Sequence, residues 1–177
     1  MYTLRHFPLQ TAVLNDSSSL NEQLIRGLEQ YIDAPETRKT HEFLGRYENI
    51  YIDPDKIPAL QIVLSTVTGM AAEILHRQPA ELKAGLWFNL MNPGDKTTLH
   101  QHDDDDELLS AVYYIKVPEN SGTLILEKGP VKTQVTPQEG MFAFFPPNMP
   151  HEVTENMSDR ARISLGINIG PLYSEED

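Results

Sequence analysis

The sequence contains no cysteine among its 177 residues. Disulfides, thiolate nucleophiles and zinc–thiolate sites are therefore excluded, and any metal ion must be held by histidine or by carboxylates. No stretch of about 18 consecutive apolar residues occurs, and the first residues lack a basic segment followed by a long apolar run. We therefore expect a protein that is neither exported nor membrane-spanning, and we predict a cytoplasmic location.

Basic residues are also scarce, with 14 Lys and Arg against 26 Asp and Glu and a formal net charge of −12. Part of this excess is local, because residues 103–107 and the last three residues are all acidic. A negative surface with no basic stripe argues against nucleic acid as a direct ligand. We expect a small-molecule or peptide substrate and no membrane partner, and we allow for a homodimer.

The length is that of one ordinary domain, so we predict a single domain over 1–177. Within it, residues 1–83 are expected to form a helical and strand support, 84–170 a β core and 171–177 an acidic tail. The capping-box pattern Ser19-x-x-Glu22 and the helical spacing that follows predict a first helix over about 20–32. A second amphipathic helix is predicted to begin at Pro58 and to end before Pro79.

From about residue 84 the pattern changes to short runs of Val, Ile, Tyr and Phe separated by Pro, Gly and Asn, which is typical of an all-β barrel or sandwich. The predicted strands lie near 84–91, 97–102, 109–117, 122–127, 131–135, 141–145, 151–155 and 161–169. In the last strand, apolar residues alternate with polar ones, so one face should enter a core while the other lines something polar. We predict a mainly β barrel with the two helices packed outside it. Residues 35–51 are either a flap over the barrel or, as we favour, an outer strand.

Residues 100–107 read HQHDDDDE and form a dense group of potential metal ligands. Alternate residues of an extended strand share a face, so His100, His102 and Asp104 can point the same way. Two neighbouring members of this series can chelate one ion, and His151, after an apolar strand and a Pro-rich turn, is the candidate for a distant ligand. The competing interpretation of this segment is a solvated acidic loop.

Two histidines and one carboxylate on one face of an octahedron leave the opposite face open. A non-haem iron(II) oxygenase needs this arrangement to bind a bidentate cosubstrate and dioxygen. A His-x-Asp pair plus a distant histidine would supply it through His102, Asp104 and His151. These three residues are therefore able to hold a single iron(II) ion at the mouth of the predicted barrel, and the surrounding sequence decides between this site and the solvated loop.

Several segments between residues 87 and 168 occur in a characteristic order and spacing. They are Trp87-Phe88-Asn89, Pro93-Gly94, the histidine cluster, Ser110-Ala111-Val112-Tyr113-Tyr114-Ile115, Pro118-Glu119-Asn120-Ser121-Gly122-Thr123-Leu124, Glu139-Gly140, Phe144-Phe145-Pro146, Pro150-His151-Glu152-Val153 and Arg162-Ile163-Ser164. Together they resemble the 2-oxoglutarate and iron(II)-dependent oxygenase superfamily, in particular its small bacterial, phage and prolyl-hydroxylase-like members. The resemblance implies a double-stranded β-helix (a cupin-like jelly roll), the cofactors Fe(II) and 2-oxoglutarate, and hydroxylation of an unidentified substrate with release of succinate and carbon dioxide.

Carried over by position, the resemblance makes His151 the distal iron ligand and Arg162 the cation that binds the far carboxylate of 2-oxoglutarate. An arginine suits this role because its planar guanidinium matches a carboxylate and stays charged. Arg160 has the same strand parity and is the fallback. Tyr114 resembles the tyrosine whose hydroxyl reaches the cosubstrate in prolyl hydroxylases, and Ser110 is a further cosubstrate candidate.

The resemblance leaves the proximal ligands open. Counting forward from Gly94 gives His100 and His102, whereas counting backward from Ser110 gives His102 and Asp104. A three-histidine site would be unusual for this superfamily. If His102 and Asp104 coordinate, His100 becomes a group outside the first shell of the metal or on the substrate side.

The same stretch also resembles the cupin pattern, which would use Glu107 together with His100, His102 and His151. Cupins share the barrel and the metal, but their chemistry includes isomerisation, dioxygenation without a cosubstrate and simple ligand binding. Arg162 has no place in the cupin pattern and a ready one in the oxygenase. The alternative to a 2-oxoglutarate-dependent dioxygenase is therefore a cupin-type metalloenzyme or a metal-binding barrel.

Overall fold

The computed structural model describes residues 9–102 and 106–173. Within them the chain forms two α-helices and eleven strands, in the order β1 (Gln10–Val13), α1 (Ser18–Tyr31), β2 (Arg38–Phe43), β3 (Arg46–Tyr51), α2 (Pro58–Leu75), β4 (Leu82–Met91), β5 (Thr97–His100), β6 (Leu109–Lys116), β7 (Leu124–Lys128), β8 (Val131–Val135), β9 (Met141–Phe145), β10 (His151–Val153) and β11 (Arg162–Pro171). The predicted strands from residue 84 onward correspond to β4–β11. Their ends differ from the prediction by a few residues at most.

The strands form two antiparallel sheets. The major sheet has the order β1-β9-β6-β11-β4-β3-β2, and the minor sheet has the order β5-β10-β7-β8. Residues of both sheets share one apolar cluster, in which Tyr114 and Phe145 of the major sheet meet Leu124 and Leu126 of the minor sheet. This architecture confirms the predicted double-stranded β-helix, and the apolar cluster between the sheets explains why the two layers hold together.

Strand β11 separates the core from the interior of the barrel. Ile163, Leu165, Ile167 and Ile169 are buried in the larger cluster, which also contains residues of α1 and α2. Burying one such side chain completely stabilises the fold by roughly 1.5–3 kcal/mol. The alternate residues of the strand line the cavity between the sheets: Arg162, Ser164, Gly166 and Asn168. The predicted division of this strand into an apolar and a polar face is confirmed.

Helix α1 packs over the major sheet, where the Tyr113 hydroxyl donates a hydrogen bond of 2.7 Å to Asn21 Oδ1. The predicted capping box is wrong, because the helix begins at Ser18 after Ser17, and no side chain caps its first turn. Ser17 instead packs closely on Gly140, since a Cβ added to this glycine would lie 2.3 Å from Ser17 Oγ. Glu22 faces Arg26, its neighbour along the helix.

Helix α2 begins at Pro58 as predicted and contributes one side to the core under the major sheet. By length and composition alone this helix would be able to cross a membrane, and it is the one helix of the described residues that meets both criteria. A core helix of a globular domain meets them as well, and Leu60, Val63 and Val67 are fully buried against the sheet. The composition of α2 is therefore explained by packing.

Residues 35–51 form mainly the hairpin of β2 and β3, which extends the major sheet beyond β4. The favoured prediction of an outer strand is thus confirmed. Arg46 fixes the hairpin, because its guanidinium donates to the carbonyl oxygens of Leu90 and Lys96 and pairs with Glu48 at 3.0 Å. Strand β3 consequently stays on the rim of the cavity.

Candidate metal centre and cosubstrate pocket

Three histidines meet where the minor sheet faces the cavity. His100 ends β5, His102 follows it, and His151 begins β10, which pairs with β5 so that His151 lies opposite His100. One potential ligand atom from each residue lies within 4.8 Å of the other two. Two metal–nitrogen bonds of about 2 Å hold their nitrogen atoms no more than about 4 Å apart, so the three rings would draw slightly closer together around a single ion.

Hydrogen bonds orient two of these rings. His151 Nδ1 lies 2.9 Å from the carbonyl oxygen of Met149, and His100 Nδ1 lies 2.8 Å from that of Thr98. A carbonyl oxygen can only accept, so in each ring Nδ1 carries the hydrogen and Nε2 keeps its lone pair. Both rings therefore present Nε2 as the ligand atom.

His151 is buried, with 6% of its surface exposed. Burial lowers its pKa from the usual 6.5 to about 4, and the hydrogen bond to Met149 opposes that shift while His100 and His102 add to it. The ring is consequently neutral at physiological pH. Metal ions bind neutral imidazole, so His151 needs to release no proton before it coordinates.

The sequence predicts Asp104 as an alternative to His100, but Asp104 lies outside the described residues. Among the residues that the structure does describe, the cluster consists of the three histidines alone. Glu107, the fourth ligand of the cupin pattern, is not part of it. Its Oε2 lies instead 3.5 Å from His102 Nδ1.

Arg162 and Tyr114 form the deep end of the same cavity. Arg162 is only 2% exposed, and its Nη1 donates to the carbonyl oxygens of Gly122 at 2.8 Å and Ser121 at 3.3 Å. Arg162 Nε and the Tyr114 hydroxyl are both buried, and neither has a hydrogen-bond partner within 9–102 and 106–173. The guanidinium carbon lies 5.2 Å from the centre of the Tyr114 ring.

The electrostatics of this pair favour an anion. Burial raises the pKa of Tyr114 and lowers that of Arg162, and each group partly offsets the shift of the other. Tyr114 therefore remains a hydroxyl donor, whereas the arginine keeps its charge because an ordinary guanidinium titrates far above neutral pH. No carboxylate of the described chain forms an ion pair with Arg162. A buried cation without an anion is costly, so the pair is suited to bind a carboxylate from outside.

Gly122 lets the backbone approach Arg162. Its φ is +99°, and a Cβ at this position would lie 2.4 Å from the carbonyl oxygen of Thr154 and 3.2 Å from Arg162 Nη1. Both the positive φ and the missing space favour glycine. The Gly122 carbonyl that accepts from Arg162 is thus held in place by a conformation that few other residues adopt.

The other two cosubstrate candidates have different surroundings. Arg160 precedes β11, and its side chain is 64% exposed beside Asp159, so it does not reach the cavity. The fallback to Arg160 is wrong, because Arg160 lies before β11 and side chains alternate between the two faces of a sheet only within a strand. Ser110 is buried and lines the cavity, but its hydroxyl donates to Glu107 Oε1 at 2.6 Å.

The cavity wall contains residues that the sequence predicted and residues that it missed. Asn49, Asn89, Ser164 and Asn168 line it, and Trp87 closes one side. The Trp87 ring lies against Gly166, where a Cβ would come within 2.4 Å of it. The alternation along β11 predicted that Ser164 and Asn168 face a polar interior, whereas the positions of the residues from β3 and β4 follow only from strand pairing.

Residues 86–170 match the family model of the 2OG-Fe(II) oxygenase superfamily, which confirms the resemblance read from the sequence. This part of the chain, 85 of its 177 residues, is that of a 2OG-Fe(II) oxygenase. The matched region contains the three histidines, Tyr114 and Arg162. A search of curated proteins gives no match.

Solved structures of the same fold resemble this oxygenase over nearly all of its length. A Pseudomonas putida prolyl-4-hydroxylase matches with a TM-score of 0.71 and 19% identity, covering 96% of this chain and 91% of that chain. A Trichoplax adhaerens prolyl hydroxylase in complex with a hypoxia inducible factor peptide gives a TM-score of 0.69 and 14% identity, with coverage of 94% and 85%. The non-heme alpha ketoglutarate dependent carbocyclase SnoK from nogalamycin biosynthesis gives 0.72 and 14%, with coverage of 94% and 81%.

The superfamily uses Fe(II) and 2-oxoglutarate, and the residues of this oxygenase fit both. Imidazole nitrogens suit iron(II), and the chain offers three of them within one small triangle. Arg162 Nε and the Tyr114 hydroxyl, both buried and without partners in the described chain, suit a carboxylate. All five side chains line one cavity, as a metal-chelated dicarboxylate requires.

Proposed function

We propose that this oxygenase hydroxylates a small-molecule or peptide substrate, with His100, His102 and His151 holding the iron and Arg162 and Tyr114 binding the far carboxylate of 2-oxoglutarate. The observation that carries this assignment is a buried guanidinium, without an anion in the described chain, in the same cavity as three convergent histidines. When bound, iron(II) with 2-oxoglutarate supplies the activation of dioxygen and the oxidation of the substrate C–H bond.

The protein's own part is binding, orientation and exclusion of water. The Nε2 atoms of His100 and His151 are directed by the carbonyl oxygens behind them, and the ring of His151 requires no deprotonation. Arg162 binds the carboxylate through charge-assisted hydrogen bonds, and the Tyr114 hydroxyl donates a further one. The apolar cluster around Tyr114 keeps water from this end of the cavity, which strengthens both interactions.

We assign the third ligand to His100 rather than to Asp104. His100 lies opposite His151 in the pairing of β5 with β10, so its position is fixed by a sheet. The test is to replace His100 and Asp104 by alanine separately and to measure how much iron each variant retains. Loss of iron in the Asp104 variant alone would reverse the assignment.

The rim of the cavity indicates what kind of substrate fits. Asn89 Oδ1 and Asn168 Oδ1 are buried acceptors without a donor in the described parts of the chain, and the Asn89 amide is oriented because its Nδ2 donates to the Glu48 carbonyl at 3.0 Å. Trp87 adds an aromatic wall beside His102. We infer a substrate that brings N–H or O–H donors and an apolar face, and that is met in the cytoplasm without a nucleic acid or membrane partner.

The main experiment measures succinate. The protein is incubated anaerobically with iron(II) and 2-oxoglutarate, air is admitted, and succinate is assayed in the wild type, in Arg162→Ala and in Arg160→Ala. We expect the Arg162 variant to lose succinate formation and the Arg160 variant, which loses the same charge from the surface, to keep it. Absence of 2-oxoglutarate binding in the wild type, or equal succinate formation in all three proteins, would favour the cupin alternative.

A further inference from the structure

Glu107 is a buried acid outside the histidine cluster that nothing so far has given a role. Its side chain is only 3% exposed, although it follows a run of acidic residues. Its Oε1 accepts the hydrogen bond from Ser110 at 2.6 Å. Its Oε2 is buried and has no hydrogen-bond partner in the described chain, and it lies 3.5 Å from His102 Nδ1. A carboxylate is buried at this expense only where a partner compensates for it.

We propose that Glu107 is a positioning residue for the metal centre, acting through His102, and that Ser110 holds Glu107 in place. This inference rests on the proposed function, since it requires His102 to be a ligand. His102 is fixed in plane, because its ring lies parallel to that of His151, with 8° between the planes and 5.4 Å between the centroids. Trp87 lies on it at 27° and 6.4 Å. The contact with Glu107 bears on which nitrogen of this ring carries the hydrogen.

A carboxylate beside Nδ1 decides this in favour of an Nδ1 hydrogen. Nε2 then keeps its lone pair for the metal, as it does in His100 and His151, where backbone carbonyls perform the same task. The separation of 3.5 Å exceeds a good hydrogen bond, and such contacts often shorten when the ligand binds. Glu107 would complete a carboxylate–histidine–metal arrangement.

The same residue also supplies charge. A three-histidine set is neutral, whereas two histidines and a carboxylate bring one negative charge to the ion. No lysine or arginine of the described chain forms an ion pair with Glu107, and the residue that it contacts there, His102, is neutral when it coordinates a metal ion. In this oxygenase the negative charge therefore comes from Glu107, which contacts the ligand His102, rather than from a carboxylate bound to the iron itself.

The test uses metal binding rather than turnover. Metal-free protein is titrated anaerobically with Co(II), whose visible absorption reports both affinity and ligand geometry, in the wild type, Glu107→Gln and Asp106→Asn. Asp106 is the matched control, because it is the neighbouring acid, loses the same charge and is 53% exposed. We expect Glu107→Gln to bind Co(II) about 10–100-fold more weakly with an altered absorption band. Asp106→Asn should retain the affinity and the band of the wild type.

Two results would overturn the inference: wild-type affinity and absorption in Glu107→Gln, or an equal loss of affinity in Asp106→Asn, which would trace the effect to the overall charge of the loop. If circular dichroism shows that Glu107→Gln does not fold, Ser110→Ala carries the test. We expect Ser110→Ala to weaken Co(II) binding as well. Where Glu107→Gln folds, the double variant should bind Co(II) no more weakly than Glu107→Gln alone, because both residues act through one chain of contacts.

Ser110 is also a cosubstrate candidate, and the Co(II) titration without 2-oxoglutarate separates the two roles. Unchanged Co(II) binding in Ser110→Ala, together with weakened 2-oxoglutarate binding, would contradict the link to Glu107. Failure of the wild type to bind Co(II) or iron(II) at all would overturn the proposed function itself. If the wild type binds metal and the substitutions of Glu107 and Ser110 leave its affinity unchanged, only the positioning role is overturned.

Discussion

Replacing Arg162 by methionine should remove most of the stabilisation of this oxygenase by 2-oxoglutarate while leaving the fold intact. Methionine keeps much of the apolar stem but removes the charge. In the unliganded protein two effects oppose each other, since the change relieves a buried cation but leaves the carbonyls of Ser121 and Gly122 without their donor. Each effect is of the order of 1–3 kcal/mol, so we expect a small net change in the free energy of unfolding.

The effect on 2-oxoglutarate binding is larger, and no second contribution opposes it. Removing one member of a buried, hydrogen-bonded charge pair costs about 2–5 kcal/mol. The dissociation constant for 2-oxoglutarate should therefore rise by roughly 30-fold to a few thousand-fold. At a free concentration one hundred times the wild-type dissociation constant, the ligand stabilises the wild type by about 2.7 kcal/mol. For a chain of this length that corresponds to roughly 5–11 °C in Tm.

The assay is thermal unfolding under nitrogen with Co(II) or iron(II), with and without 2-oxoglutarate. We expect a clear rise of Tm for the wild type and for Arg160→Met, whose side chain is exposed and serves as the matched control. For Arg162→Met we expect a rise of no more than about 3 °C, since a 30-fold weaker affinity leaves about 0.9 kcal/mol of stabilisation. An equal rise of Tm in all three proteins would refute the assignment of Arg162. The assay needs no knowledge of the substrate.

Three further predictions address the packing around the site. Gly122→Ala should lower the free energy of unfolding by about 1–3 kcal/mol in urea and weaken 2-oxoglutarate binding, because the added Cβ would meet the Thr154 carbonyl at 2.4 Å and φ is +99°; an unchanged midpoint would mean that the backbone relaxes freely. Gly166→Ala should displace the Trp87 ring. Since Trp87 is the only tryptophan of the sequence, the fluorescence spectrum of the protein should shift. Gly85→Ala, where a Cβ has open space, is the control and should leave the spectrum unchanged. Phe88→Ala should cost about 3–5 kcal/mol in urea unfolding, because the ring is fully buried under α2, and a loss below about 1 kcal/mol would contradict its place in the core.

The reaction outcome is a matter separate from the fold. Solved neighbours of this oxygenase include two prolyl hydroxylases and a carbocyclase, all below 20% identity. A shared fold does not by itself fix the fate of the substrate, which depends on the residues around the site. In this chain those residues are Trp87, Asn89 and Asn168, together with Glu48 and Asn49 from the outer hairpin.

Short runs of Val, Ile, Tyr and Phe bounded by Pro, Gly and Asn were sufficient to predict most strands, although β9 is buried at every position and shows no alternation. Alternation of apolar and polar residues was clear in the last strand. It also predicted that Arg162 faces the cavity, since Arg162 has the parity of Ser164 and Asn168 and the opposite parity to Ile163. The same argument failed for Arg160, which lies before the strand. The capping box at Ser19 failed because Ser17 and Gly140, distant in sequence, pack together and set where α1 begins.

The sequence by itself therefore determined the superfamily, the strand order along the chain and the residue types able to hold a metal and a carboxylate. Tertiary structure decided which of those residues meet. Pairing of β5 with β10 brings His100 opposite His151, and pairing across β3, β4 and β11 assembles the asparagine and tryptophan wall. Only the folded chain shows Glu107 buried behind His102, since in the sequence it is one more acid in an acidic run. Strand register fixes these distances, and register is set by contacts between residues far apart in the chain.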